Sequence, residues 1–196
     1  MKTKKQILSR KALHLSLLIP FGVFWWLNLV MLDLAQAQAF MLVVLGAFVI
    51  YEYVRLDLRM EVPFGRFIKP KEENTTVDGL NLIMACLLIH LLVPLPVAIA
   101  ATLIAIIGDA ASTMGALYGK IRVFPNTTIK TTWEGVVLSL FVNMTVSASI
   151  LGFVPAMLVM SISAIMIETA VQKVDDNIAV PILIAGLGSL TQWLSM

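Results

Sequence analysis

The sequence has few charged residues and almost no cysteine. Charged side chains make up 13% of the 196 residues, whereas hydrophobic side chains make up 59%. A soluble domain carries roughly twice that share of charge, so the composition excludes an ordinary soluble protein. The single cysteine, Cys86, lies in an apolar segment and excludes a disulfide framework. The mean hydropathy of +0.92 indicates instead a chain surrounded largely by lipid.

Several familiar ligand-binding motifs are missing as well. No G-x-x-x-x-G-K-[ST] run occurs, which excludes the P-loop cradle for phosphates. The D-G-x-x-A-R pattern of CDP-alcohol phosphotransferases is absent, because Leu80 and Asn81 follow Asp78 and Gly79. No internal repeat, low-complexity segment or separate soluble domain interrupts the chain, and we expect no nucleic-acid partner.

Long apolar segments dominate the rest of the sequence. A transmembrane helix needs about 20 apolar residues, and lipid satisfies no backbone hydrogen bonds, so each such segment is expected to be a helix. The first segment is longer than the core of a cleaved signal peptide, so we expect it to stay in the membrane. We therefore predict an all-α polytopic membrane bundle forming one domain, residues 1–196. About seven helices are expected, near 12–32, 37–54, 79–93, 95–118, 135–152, 154–169 and 178–195.

Charge is distributed unevenly over the loops between these segments. All fourteen Lys and Arg residues fall on one side, which predicts that this side is cytoplasmic and that the N-terminus lies inside. Most acidic residues fall on the same side, although the rule that orients basic loops says little about acids. Hydration of the larger loops explains part of this enrichment. The rest indicates an active site on the cytoplasmic face of an integral membrane protein.

One acidic residue, Asp109, interrupts an apolar helix at the start of IGDAASTMGALYGK. An unbroken helix would place it about 16 Å from Lys120, near the middle of the bilayer, where a carboxylate costs about 3 kcal/mol. Two interpretations stay open: a hydrogen-bonded link to Ser112 or Thr113, or a functional group in a wet cavity. In the second, the helix is expected to bend or open near Gly115.

Small residues follow this acid at every fourth position. Such a stripe allows either tight helix packing or the close approach of a phosphate. The run KTTWEG comes next, at residues 130–135, where a threonine can cap the following helix and a helix N-terminus can bind an anion. The small residues are Ala111, Gly115 and Gly119, and the basic residues that follow, as orientation signals or phosphate ligands, are Lys120, Arg122 and Lys130.

Two further polar clusters lie near the chain ends. Arg10 and His14 share one side of the first helix, with Lys11 beside them. An acidic row from Glu168 leads to DDNIAVP, where Asn177 is expected to cap the last helix. Each cluster is compatible with snorkelling or capping alone, and equally with a functional role.

These residues, taken in order along nearly the whole chain, resemble the motifs of the polyprenol kinase family. That family includes dolichol kinases, phytol kinases and CTP-dependent diacylglycerol kinases. RKALH is similar to its N-terminal R-K-x-x-H pattern. The chain departs from the family at Ala116, where a glycine usually stands one position after Gly115, and at Thr131, where a second lysine is usual. The central and late matches are Gly108, Asp109, Gly115, Gly119, Lys120, Lys130, Thr132, Glu134, Gly135, Glu168, Asp176, Asn177, Val180 and Pro181.

The resemblance implies transfer of the γ-phosphate of a nucleotide, often CTP, to the hydroxyl of a membrane lipid alcohol such as dolichol, a polyprenol, phytol or diacylglycerol. It implies Mg²⁺ or another divalent ion held by Asp109 with Glu168 or Asp176. His14 or Asp176 would orient or deprotonate the lipid hydroxyl. The expected catalytic residues are His14, Asp109, Lys130, Glu134, Glu168 and Asp176. The residues expected to bind the nucleotide are Arg10, Lys11, Gly115, Gly119, Lys120, Arg122, Lys130, Thr132, Gly135 and Asn177.

Two other functions remain open on the sequence. PNTTIKTTWEG also resembles a run in CDP-diacylglycerol synthases, which would make the chain a CTP-dependent cytidylyltransferase that forms a CDP-lipid. The N-terminal and late motifs favour the kinase. Alternatively, Asp109 carries a proton or an ion in a small transporter, or lies in a non-enzymatic lipid-binding protein. Against a transporter, the polar residues crowd one face, whereas transport needs access from both.

Overall fold

The structure, a computed structural model, describes residues 4–30, 34–63, 78–123, 131–170 and 175–195. Regular structure within these ranges is helical, apart from one isolated β-bridge. The helices are α1 (Lys4–Leu15), α2 (Leu18–Leu29), α3 (Leu34–Leu56), α4 (Asp78–Leu92), α5 (Leu95–Leu103), a π-helical segment (Ile104–Gly108), α6 (Asp109–Tyr118), α7 (Trp133–Leu151), α8 (Pro155–Ala170) and α9 (Asp176–Leu194).

Five helices of the described chain are long and apolar enough to cross a membrane. They have 19 to 24 residues. At about 1.5 Å per residue, such helices cover a hydrocarbon core of roughly 30 Å. The prediction of an all-helical fold is confirmed, and these five helices are compatible with an integral membrane protein, but two of the seven predicted segments, Gly79–Leu92 and Pro155–Thr169, are shorter than the five. The five are Ile7–Leu29, Ala35–Leu56, Leu95–Tyr118, Trp133–Leu151 and Asp176–Leu194.

The chain divides into two compact units, and the first, Met1–Met84, contains α1 to α3 and the start of α4. The basic start of the chain is helical from Lys4, earlier than predicted, and a turn separates α1 from α2. Pro20 has no N–H to donate to the preceding turn, which accounts for the break. Within this unit α2 packs against α3, and Phe21 and Met41 are fully buried.

The second unit, Ala85–Met196, is built around the helix Leu95–Tyr118, which combines α5, the π-helical segment and α6. Of its apolar window, 72% is buried inside the protein, against 11% to 28% for the other four candidate spans. It contacts α7, α8 and α9. Alanines such as Ala98 and Ala101 are fully buried and let these helices approach closely. This central helix carries Asp109 into the middle of the unit.

Candidate functional site

A small cavity lies in the second unit, where the π-helical segment meets α7, α8 and α9. Its volume of about 20 Å³ is enough for one water molecule or one ion. Asp109, Glu168 and Asp176 line it, although they come from three helices. The three residues predicted to ligate a metal therefore surround one cavity. The other lining residues are Ile104, Ala105, Gly108, Ser139, Asn143, Ala164, Asn177 and Val180.

Asp109 comes directly after the π-helical segment. A π turn contains one extra residue, which rotates the following side chains by about 100° relative to a regular helix, and such turns are frequent at functional sites. The distortion of the helix therefore precedes Asp109. The prediction of a bend near Gly115 is wrong, because α6 continues through Gly115 to Tyr118. Gly115 packs against α7 and does not act as a hinge.

The second acid of the cavity, Glu168, lies near the end of α8 and is half-buried. Its carboxylate accepts a hydrogen bond from Ser112 Oγ at 2.7 Å. Ser112 is buried and lies one turn after Asp109. The serine that we considered as a partner for Asp109 thus joins α6 to α8 through Glu168, and it fixes the direction of that carboxylate.

The start of α9 supplies the third acid. Asp175 accepts a hydrogen bond from the Asn177 backbone N–H at 2.9 Å and is the N-cap of α9. The prediction that Asn177 caps this helix is wrong, because α9 begins at Asp176 and the carboxylate of the preceding residue, Asp175, accepts from the Asn177 amide. Asn177 Nδ2 donates to Asp175 Oδ1 at 3.0 Å and to Asp176 Oδ1 at 3.1 Å. Asn177 therefore orients Asp176, whose side chain is exposed.

A glycine seam, formed by Gly115, Gly119 and Gly135, brings α6 and α7 close together. A Cβ on Gly115 would lie 2.8 Å from the Glu134 carbonyl oxygen, and one on Gly135 would lie 2.8 Å from the Ser112 carbonyl oxygen. Both obstacles are helix backbone, so a side chain would force the helices apart. At the seam, the small residues therefore serve tight helix packing. Contact of these glycines with a nucleotide stays a prediction.

Thr132 and Glu134 stabilise the start of α7 and the loop after α6. Thr132 Oγ1 accepts a hydrogen bond from the Gly135 N–H at 3.2 Å, which makes Thr132 the N-cap of α7. The Glu134 carboxylate accepts hydrogen bonds from the backbone N–H of Lys120 at 2.8 Å and of Ile121 at 3.4 Å. Both side chains have structural partners, and Glu134 holds the backbone that carries Lys120.

The basic residues predicted to bind phosphate lie on different parts of the chain. Lys120 and Arg122 have exposed side chains, and Arg122 forms the isolated β-bridge with Thr132. Lys130 lies outside the described residues. Two more, Arg10 and Lys11, lie on α1 in the first unit, together with His14, which was predicted to act on the lipid hydroxyl. Two of the predicted phosphate ligands therefore share the segment that Glu134 holds.

Two residues of α7 line the cavity although they were not predicted as site residues. Ser139 and Asn143 are each only 1% exposed. A sequence signal for them existed, because Gly135, Ser139, Asn143 and Ser147 recur at every fourth position of an otherwise apolar helix. All four are buried. Polar residues inside a membrane helix face protein or a cavity and avoid lipid, so this stripe marks the inner face of α7.

The polar side chains that line the cavity are carboxylates, amides and one hydroxyl, whose oxygen atoms suit hard cations such as Mg²⁺. Among the residues that the structure describes, no three His, Cys, Asp or Glu side chains stand close enough together to hold a metal ion. A cation bound by these acids would need further oxygen atoms from other residues or from water. Comparisons with known families, with curated proteins and with solved structures found no match to this chain.

Proposed function

We propose that the chain is a membrane lipid kinase that transfers the γ-phosphate of CTP to the hydroxyl of an isoprenoid or glycerolipid alcohol. The observation that carries this proposal is the cavity around which Asp109, Glu168 and Asp176 converge from three helices. Acids inside a membrane bundle are costly, and they usually mark an ion or substrate site. Phosphoryl transfer uses such carboxylates to hold the cation that neutralises phosphate charge.

The resemblance to polyprenol kinases supports the same chemistry. The cavity acids and Asn177 all belong to matched motifs, and these motifs are far apart in the sequence. A transporter or a lipid-binding scaffold gives no reason for the separate motifs of a kinase to meet around one cavity. This coincidence favours the kinase over a non-enzymatic protein.

Mg²⁺ fits the oxygen donors of the cavity. Asp109 together with Glu168 or Asp176 would hold it, with water in the remaining positions, and the ion would supply charge neutralisation for the phosphates. The cavity has room for one ion or water, so a nucleotide does not fit inside it. The base and sugar therefore lie outside, and only the phosphate end of the nucleotide approaches the acids.

The cationic side chains perform the second task, which is to bind and orient the phosphates. Lys120 and Arg122 are exposed on a backbone segment held by hydrogen bonds to Glu134 and by the β-bridge. Cations fixed in this way stabilise the charge that spreads over the transferred phosphoryl group. We assign Lys130 and the α1 residues Arg10 and Lys11 to the same task. His14 or Asp176 takes or orients the proton of the lipid hydroxyl.

The proposal includes a membrane orientation. Seven helices cross the bilayer, with the N-terminus and the site on the cytoplasmic side and the lipid chain among the helices. The one-sided distribution of all fourteen Lys and Arg residues supports this orientation. Single-cysteine variants at Lys4 and at Trp193, in a Cys86→Ser background, would test it by labelling with an impermeant thiol reagent in oriented vesicles. Labelling of both positions from one side would contradict an odd number of spans.

The position of the transferred label tests the reaction. Purified protein is mixed in detergent with diacylglycerol or a polyprenol, a divalent ion and CTP labelled at either the α or the γ phosphate. A kinase moves only the γ label into lipid. Transfer of the α label alone would show a cytidylyltransferase, and no transfer with any lipid alcohol would favour a non-enzymatic protein. The same mixture with labelled ATP identifies the nucleotide.

A further inference from the structure

We propose that Asn143 is a cation ligand of the cavity and that its amide oxygen binds a divalent ion together with Asp109 and a neighbouring acid. The inference deepens the proposed function, because it rests on the cation which that function requires. The Asn143 side chain is 1% exposed and lines the cavity. Its Oδ1 atom is buried and has no hydrogen-bond partner among the residues that the structure describes. A buried acceptor without a partner is costly, so such an atom indicates a position where a ligand can bind.

The hydrogen bonds around Asn143 define which atom of its amide is left over. Ser139 Oγ donates its only proton to the Gly108 carbonyl oxygen at 3.3 Å. The hydroxyl oxygen of Ser139 can then only accept, and it accepts from Asn143 Nδ2 at 3.4 Å. The amide nitrogen therefore faces Ser139, and a reversed amide would place two acceptors against each other. The oxygen is therefore the amide atom without a partner in the described part of the chain.

Gly108 provides the space that this amide occupies. A Cβ at position 108 would overlap Asn143 Oδ1, and it would lie 3.2 Å from Asn143 Nδ2. Gly108 is the last residue of the π-helical segment and directly precedes Asp109. The amide oxygen thus lies against the same piece of backbone that positions the Asp109 carboxylate, which brings two oxygen donors to one cavity.

The chemistry of the lining favours a cation as the occupant. Three carboxylates and two amides line the cavity, and none of the lining residues that the structure describes is basic. Its volume of about 20 Å³ accommodates one ion or one water molecule. Amide and carboxylate oxygens are the ligands that divalent hard cations prefer. Asn143 also supplies an oxygen beyond the acids, which do not form a complete metal site by themselves.

Direct binding of Mn²⁺ to the purified full-length protein tests the inference. Mn²⁺ is a paramagnetic substitute for Mg²⁺, so the free ion can be titrated by electron paramagnetic resonance. Asn143→Leu keeps the approximate size and removes the oxygen, and we expect it to weaken Mn²⁺ binding by about tenfold or more. Asn143→Asp keeps an oxygen in place, and we expect it to retain binding. Asn143→Ala replaces the leucine variant if leucine prevents folding.

Ser147→Ala is the matched control. Ser147 is also fully buried on α7, one turn beyond Asn143, but it does not line the cavity and its hydroxyl contacts Ser161 at 3.0 Å. We expect this variant to bind Mn²⁺ as the wild type does, although it removes a buried polar group from the same helix face. A loss of equal size in both variants would assign Asn143 a packing role only.

The binding experiment tests the assignment of Asn143, and the transfer experiment tests the kinase proposal, so either can be refuted without the other. Unchanged Mn²⁺ affinity in Asn143→Leu, or no Mn²⁺ binding by the wild type, overturns the assignment of Asn143 even if the wild type transfers the γ label. Conversely, a wild type that transfers no label but binds Mn²⁺ through Asn143 retains the cation site and refutes the kinase.

Discussion

The cavity and the glycine seam both involve α6, but the helices are in direct backbone contact at the seam and are separated by a small space at the cavity. At the seam, Gly115 and Gly135 let backbone approach backbone until no room for a side chain remains. At the cavity, the π-helical segment and Asn143 leave a space of about 20 Å³ lined by acids. The seam glycines were expected to contact the nucleotide, and the cavity acids were expected to hold the metal ion. The comparison teaches that glycines covered by backbone serve packing, whereas buried polar atoms beside a space indicate ligand binding.

Replacing the central acid should show the largest effect and should affect only chemistry. We expect Asp109→Asn to lower γ-phosphate transfer by at least about a hundredfold, the loss typical of removing one group that stabilises transition-state charge. Asparagine has the same size, so the unfolding midpoint in detergent should stay close to that of the wild type. The measurement is the initial rate of label transfer beside thermal unfolding.

Asp57→Asn is the control for the charge change, because Asp57 is exposed and lies in the first unit. It should leave transfer unchanged. Full activity of Asp109→Asn would show that the cavity has no chemical role and that, like the seam, it is only a feature of helix packing.

A methyl group added in the seam should lower stability, whereas the Asp109 substitution should lower activity. Gly115→Ala places a Cβ against the backbone of α7, and we expect a loss of about 2 kcal/mol, since overpacking typically exceeds the gain in helix propensity. Unfolding in mixed detergent and SDS micelles measures it. Gly186→Ala is the matched control, because a Cβ there meets no atom within 4 Å. It should be neutral or stabilising by up to about 1 kcal/mol.

Most of the fold could be predicted because lipid leaves a helix few alternatives. The segment expected at 135–152 is α7, Trp133–Leu151, and that expected at 178–195 is α9, Asp176–Leu194. The π-helical segment could not be predicted, since it depends on how α7, α8 and α9 pack around it and no local pattern specifies it. The two shorter helices were predicted close to their observed bounds, since the segments expected at 79–93 and 154–169 are α4, Asp78–Leu92, and α8, Pro155–Ala170.

The acids of the site could be predicted, whereas their surroundings could not. A carboxylate such as Asp109 stands out in an apolar helix because of its cost. Asn143 gives a weaker signal, its place in the polar stripe of α7, since a neutral amide is cheaper to bury than a carboxylate and the sequence does not show which of its atoms lacks a partner. The contact of Gly115 with Gly135 was equally hidden, because it depends on the register between two helices.

Removing the N-cap of α7, which bonds the seam residue Gly135, should cost less stability than the methyl group at Gly115. Thr132→Ala removes the hydroxyl that accepts from the Gly135 N–H, and we expect a loss of about 1 kcal/mol in stability. Thr132→Ser keeps the hydroxyl and should restore most of it. If Thr132 also binds the nucleotide, the alanine variant raises the KM for CTP as well, and an unchanged KM limits Thr132 to capping.

Neutralising Glu134 should have the smallest effect on stability. It distinguishes the role of the loop after α6 from that of the glycine seam. Glu134→Gln removes a charge from bonds to the Lys120 and Ile121 amides, while Thr132 still caps α7. We expect faster hydrogen exchange at those two amides and no change at the Gly135 amide. Because the freed segment carries Lys120 and Arg122, the KM for CTP should rise more than kcat falls. An unchanged KM with faster exchange would mean that these cations do not bind the nucleotide, and the phosphate ligands would then lie elsewhere on the chain.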